Sequence, residues 1–169
     1  MGRLTVDSPL GPLTLTSAEG AIVALDWGRA GDCAPDSVLE EGARQIADYF
    51  AGRRFAFDLP LAPRGTAFRQ RVWAAMLAIP AGSVLTYGDV ARLLGSAPRA
   101  VGGACGANPI PVIIPCHRIV GSGGAAGGYS GLGGLRTKDW LLRHEGYRGA
   151  SGSAVTGGEA EGTLTLQLL

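Results

Sequence analysis

Residues 87–105 read YGDVARLLGSAPRAVGGAC. Two short helical patterns, one running from Tyr87 to Leu94 and one from Arg99 to Cys105, are separated only by Gly95-Ser96-Ala97-Pro98. That link is too short and too rich in breakers to be anything but a turn. Two helices joined this tightly, the second opening on an arginine, form a candidate helix-turn-helix, the arrangement that sets its second helix against a DNA groove. Just upstream, residues 66–79 (TAFRQRVWAAMLAI) place Phe68, Val72, Trp73, Met76, Leu77 and Ile79 on one helical face, with Thr66 as cap and Pro80-Ala81-Gly82 as stop. Downstream, residues 108–120 (NPIPVIIPCHRIV) are apolar and studded with prolines, so neither a helix nor a central strand suits them. They are predicted to form a buried, rigid, extended segment. Eight glycines then fall within residues 121–134, and a last helix is predicted over 138–145, carrying Trp140, Leu141 and Leu142.

The first third of the chain has a different texture. Residues 3–27 alternate apolar and polar side chains around Pro9-Leu10-Gly11-Pro12 and Glu19-Gly20, which predicts a three-stranded antiparallel meander. Residues 36–51 follow with helical spacing and Asp36 as cap. A short strand is expected over 55–61, and Pro63-Arg64-Gly65 is the best linker candidate. The reading is therefore an α+β chain with a small N-terminal α/β domain over 1–65 and a helical, helix-turn-helix-bearing domain over 66–148. The remainder, 149–169, rich in Gly, Ser, Ala and Thr, reads as a flexible tail.

Charge divides along the same lines. The chain has 169 residues and a formal net charge of +1, a balance that at first argues against a nucleic-acid partner. Residues 1–65 hold six Arg and nine acids, or −3; residues 66–148 hold eight Arg, one Lys and three acids, or +6; the tail holds two Glu, or −2. The basic excess thus belongs to the half with the helix-turn-helix, where a phosphate-binding surface needs it. No apolar run reaches the length of a membrane helix, and the opening MGRLTVDSPL has no signal-peptide core, so a cytoplasmic protein without a membrane partner is expected. Cys33, Cys105 and Cys116 are too few and scattered for a disulfide framework. With only His117 and His144 as imidazoles, no metal site is expected.

Chemistry concentrates at Cys116 and His117. A thiol becomes a useful nucleophile when a base takes its proton and a third group orients that base. His117 can be the base, and Glu145, near the end of a helix able to fold back, can orient it. If the segment is extended, adjacent side chains diverge, so a water is expected between sulfur and imidazole. Cys33 and Cys105 have no base nearby in sequence and are read as inert, Trp73 and Trp140 as core, and His144 as exposed.

The second half resembles the O6-alkylguanine-DNA alkyltransferases, the methylated-DNA–protein-cysteine methyltransferases. The resemblance rests on Ile114-Pro115-Cys116-His117-Arg118-Ile119-Val120, on Arg99-Ala100-Val101-Gly102-Gly103-Ala104 followed by Asn108-Pro109, on Thr86-Tyr87-Gly88, and on KDWLLRHEG over 138–146, in matching order and spacing. It spans about residues 66–148; the N-terminal part is compatible with that family's ribonuclease-H-like domain but has no diagnostic motif. The resemblance implies that Cys116 accepts the alkyl group, His117 activates it through water, Glu145 orients His117, and Asn108 orders the active-site turn. It also implies that Arg99 fills the stack when the nucleotide is flipped out, that Tyr87 assists flipping and contacts the guanine edge, and that Tyr129 and Ser130 belong to a loop closing over the base. Arg118 is placed with them among the DNA and substrate contacts.

The implied function is DNA repair by direct, single-turnover alkyl transfer from O6-alkylguanine, with O4-alkylthymine as a further candidate, in double-stranded DNA. The protein is its own acceptor, so no cofactor is expected, and a monomer suffices. The alternatives are a non-catalytic module that recognises alkylguanine, disfavoured by the presence of Cys116, and a helix-turn-helix regulator, which leaves the reactive pair unexplained.

Overall fold

The computed structural model describes residues 1–124 and 134–149. Strands β1 (Gly2–Val6), β2 (Leu13–Ala18) and β3 (Ala21–Trp27) form the antiparallel meander in the order β1-β2-β3. The β2–β3 hairpin closes through Glu19 and Gly20, both at positive φ (51° and 78°), as a two-residue turn matched to strand twist requires. Leu13, Leu15 and Ile22 are fully buried against helix α1 (Ser37–Phe50), which Asp36 caps by accepting from the Leu39 amide. Residues 55–61 depart from expectation: they form no strand and pair with the sheet only at a bridge of Leu61 to Ile22, while Phe57, Leu59 and Leu61 pack on the core. Pro60 removes a ladder donor there, and Ile22 instead exchanges its backbone bonds with Pro60 and Ala62.

Helix α2 (Ala67–Leu77) starts at the expected Thr66 cap. A Cβ at Gly65 would collide with the Trp73 ring, so the junction is held against α2 rather than hanging free. Trp73, almost wholly buried, donates from Nε1 to the Ala104 carbonyl at 2.9 Å and ties α2 to the helix-turn-helix. That unit consists of α3 (Tyr87–Leu94) and α4 (Pro98–Gly106). Thr86 and Asp89 form a reciprocal capping box at the start of α3. Gly95, at φ 63°, ends it in the left-handed conformation while the Ser96 amide reaches back to Ala91, and Pro98 starts α4 at a position that needs no amide. Two further strands, β4 (Leu85–Thr86) and β5 (Ile119–Val120), pair in parallel, and α5 (Leu135–His144) closes the fold.

One apolar core runs through both halves: Leu15, Ile22 and Ile46 belong to the same cluster as Val72, Trp73, Val101, Ile114 and Cys116. The sheet also bonds directly to the reactive segment, through the Leu25 amide to the Pro109 carbonyl at 2.9 Å. Among the described residues no helix is long and apolar enough to cross a membrane.

Candidate active site

Residues 110–120 are buried, as their composition predicts, but 110–118 are coiled into turns rather than extended, and only Ile119 and Val120 form a strand. Pro109, Pro111 and Pro115 leave few donors for regular structure, and the remaining amides close the tightest rings available. The Ile113 amide bonds to Pro111 O at 2.9 Å around Val112, and the Cys116 amide to Ile114 O at 2.8 Å around Pro115 (φ −83°, ψ 68°). The second is an inverse γ-turn; the first is the rarer, strained form, with Val112 at φ 70°. A β-branched residue there costs about 1–3 kcal/mol, and such strain persists only where surroundings over-determine it. Asn108 helps to do so. Its side chain donates to Ile114 O at 2.8 Å and accepts from the Ile110 amide at 3.0 Å, spanning the strained turn.

The turns deliver Cys116, His117 and Arg118 on a single 3-10 turn, all buried. His117 and the Glu145 carboxylate are fully enclosed, with Nε2 of one 2.9 Å from Oε2 of the other. Arg118 grips the same carboxylate with Nε on Oε1 at 2.8 Å and Nη2 on Oε2 at 2.9 Å, and its Nη1 donates to Ile79 O at 2.6 Å. The sequence reading of Arg118 as a DNA contact is therefore corrected: its guanidinium is spent inside the protein, neutralising Glu145. His144 is corrected too. It is half-buried, stacked on Trp140 at 4.8 Å, with its Nε2 2.6 Å from the Tyr49 carbonyl.

Electrostatics assign the protons. Burial pushes the Glu145 carboxyl up, but hydrogen bonds from Arg118 and His117 outweigh it and hold the group at about 2. An ionised carboxylate can only accept, so Nε2 of His117 carries a hydrogen and Nδ1 is the basic atom. Nδ1 is buried and has no hydrogen-bond partner among the described residues. Burial also holds the imidazole below its ordinary value, against the pull of Glu145, so the ring rests neutral. The Cys116 thiol is pushed up by burial, and Asn108, the Lys138 charge and backbone amides pull it only partway back. Together these make a resting thiol beside a neutral base, able to form a thiolate when the proton moves to His117.

Tyr87, half-buried at the start of α3, has its hydroxyl pushed up to about 12 by burial and by the nearby cysteines, and its ring edge faces Gly102 of α4. Arg99 lies exposed at the second position of α4, the positive end of the helix dipole. A cation there does nothing for the helix and is free to meet an anion. Cys105 is pushed up to about 12, first by burial and then by Cys116, so it stays a thiol. Tyr129, Ser130 and residues 150–169 of the tail lie outside the described residues.

Two residues were missed by sequence reasoning. Lys138 is almost wholly buried, donates from Nζ to Ile119 O at 2.6 Å and sits 5.8 Å from the Tyr87 ring centre. A signal existed: Lys138 shares a helical face with Leu141, Leu142 and Glu145, an odd place for an unengaged charge. Tyr49, from α1, donates to Glu145 Oε2 at 2.7 Å across 96 residues of chain, and nothing local announces that.

The two buried ionisable groups fix the acid response. Glu145 is held at about 2 against 4.5 in an unfolded chain, so its stabilisation is complete above 4.5 and is lost as the pH falls toward 2. His117 is held below 6.5, so the unfolded chain takes up its proton first and stability falls as the pH drops below 6.5. Thermal melts are expected to be level between about pH 7 and 8, to decline below 6.5 and to steepen below 4.5. A midpoint unchanged down to pH 4 contradicts this.

Comparison with known proteins matches residues 67–147 to the DNA-binding domain of 6-O-methylguanine DNA methyltransferase and residues 3–63 to its ribonuclease-like domain. A methylated-DNA–protein-cysteine methyltransferase of Methanosarcina acetivorans is 41% identical over 150 residues, covering 83% of this chain and 95% of that protein. The Salmonella typhimurium protein of the same name is 52% identical over 106 residues, and the match spans 61% of each. A Mycobacterium tuberculosis OGT crystallised in complex with DNA superposes with a TM-score of 0.74 at 41% identity, covering 83% of this chain and 90% of that one.

Proposed function

The chain belongs to the 6-O-methylguanine DNA methyltransferase family, and from that premise we propose that it repairs DNA by moving an alkyl group from O6-alkylguanine onto Cys116. The observation that carries this reading is the buried thiol beside a histidine whose other nitrogen is committed to a carboxylate. Such a thiol, 6% exposed, is largely shielded from solvent and depends on a group being brought to it.

A guanine inside a duplex cannot reach a buried sulfur, so the nucleotide must be flipped, at a cost of a few kcal/mol that is smaller for a badly paired lesion. Arg99, exposed on α4, fills the space left in the stack, and the other exposed cations of the +6 half hold phosphates. With the base in place, His117 Nδ1 takes the Cys116 proton through a water. The sulfur lone pair forms the S–C bond as the C–O6 bond breaks, Tyr87 donates a hydrogen bond to the departing guanine, and the proton the guanine gains is balanced by the one that left Cys116 and that His117 then releases. Asn108 keeps the sulfur's turn in shape. The product is a thioether that no neighbouring group can cleave, so each molecule acts once, without a cofactor.

The direct test is the intact mass of the protein after exposure to O6-methylguanine DNA. The stacking role has its own. Arg99→Ala is expected to slow repair of duplex about 10- to 100-fold, the kinetic equivalent of a few kcal/mol, while alkyl transfer from the free base changes less than about 3-fold. Equal losses on both substrates remove Arg99 from flipping.

A further inference from the structure

Glu145 caps the C-terminal end of α5, where burial and the negative end of the helix dipole both oppose a carboxylate. It stays ionised because donors surround it. Arg118 supplies two of them and His117 a third, all from the reactive turn. The fourth comes from the other half of the molecule: the Tyr49 hydroxyl, 2.7 Å from Oε2.

Its aim is set by packing. The Tyr49 ring is fully buried in an aromatic collar, edge-on to Phe50, Phe55 and His144 with centroids 5.1, 5.8 and 5.2 Å away, and tilted against Phe57 at 5.4 Å. His144 also engages the Tyr49 backbone carbonyl. Apolar packing at this site would be met by phenylalanine, and a hydroxyl buried there is tolerated only because it has a partner. The partner is the same oxygen that holds the His117 ring.

We propose that Tyr49 is a positioning residue for alkyl transfer, sharing Glu145 Oε2 with His117 so that the carboxylate orients the imidazole without holding a proton on it. The inference rests on the proposed role of His117 as base. A carboxylate attracts imidazolium in proportion to the charge left on the facing oxygen, and each further donor to that oxygen withdraws some of it. Among the described residues, the other charged or titratable groups around the pair are Arg118 and Cys116 on the turn, and Lys138 and His144 on α5. Removing the Tyr49 hydroxyl leaves more charge on Oε2 for His117, and the ring becomes easier to protonate. The N-terminal half thereby takes part in the chemistry as well as the packing.

The test is Tyr49→Phe, which keeps the ring. Single-turnover alkyl transfer is measured between pH 5 and 8, and the His117 ring nitrogens are titrated by NMR in the free protein. Expected is an acid limb moved to higher pH by about half a unit or more, a threefold loss of neutral imidazole on that limb, with rates above it within about twofold of the parent. The His117 titration moves the same way. Superimposable profiles, or a loss of the same factor at every pH, would mean packing alone and overturn the proposal, as would an unmoved titration. The NMR arm needs no substrate, so it still decides the role of Tyr49 if the parent protein transfers no alkyl group and the functional reading fails.

Discussion

Incubated with duplex DNA carrying O6-methylguanine, the intact protein is expected to gain the mass of one CH2, a single methyl group in place of the thiol hydrogen, and then stop, while Cys116→Ala gains nothing. The expectation of one, rather than two or three, follows from the three thiols. Cys33 is exposed and has neither a buried base nor a carboxylate relay beside it. Cys105 lies close enough to Cys116 to feel its charge, but it is pushed up to about 12 and shares its helix with no histidine. Only Cys116 adjoins a neutral imidazole whose tautomer is fixed. Deleting the nucleophile removes the reaction altogether, a larger effect than the roughly 10²–10⁴-fold that a positioned general base contributes. Peptide mapping of the modified parent is expected to put the methyl on the peptide containing Cys116. A methyl on Cys33 or Cys105, or an unmodified parent after long incubation, would sink the reading.

The second large effect concerns Arg118. Its side chain is 7% exposed and faces a Glu145 side chain that is 0% exposed. Arg118→Met keeps the aliphatic stem but leaves a carboxylate buried at a helix C-terminus without its countercharge. Breaking a buried pair from one side costs about 3–5 kcal/mol. For a chain of this size that corresponds to a fall in Tm of about 6–20 °C. The double variant Arg118→Met with Glu145→Gln is expected to recover part of the loss, because the orphaned charge is gone. The outcome also separates the two readings of this residue. A phosphate contact would leave Tm unchanged and lower the salt slope of DNA binding by about one. The buried arrangement demands the reverse: a lower Tm and an unchanged slope for the folded fraction.

Much of this protein is legible from local rules. The meander, the helix after Asp36, the helix after Thr66 and the helix-turn-helix fall where periodicity, caps and breakers put them, since each depends on residues within a few positions of one another. Cys116, His117 and Glu145 also stand out locally, as residue types that chemistry requires. The misreadings share a cause. Residues 55–61 look like a strand, but whether a segment pairs depends on a neighbour, and β3 needed only a bridge from Leu61. The proline-rich segment excludes helix and ladder, as expected, yet composition does not distinguish an extended chain from successive γ-turns, whose strain at Val112 is supported by Asn108 and by packing.

Arg118 shows the limit most clearly. In a basic half, next to a reactive cysteine, an arginine reads as a phosphate contact; only its enclosure by Glu145, Ile79 and Phe55 makes it an internal countercharge. The amino-acid sequence by itself determines the elements, the polarity between an acidic front and a basic reactive half, and which residues carry chemistry. Tertiary structure alone decides the protonation pattern, because that depends on which groups converge on one buried carboxylate. Tyr49 and Glu145 are 96 positions apart, and their 2.7 Å contact exists because a second apolar cluster, of Tyr49, Val112 and Leu141, joins the two halves beside it. Hydrogen bonds and desolvation act through space at a few ångströms, a distance that separation along the chain does not encode.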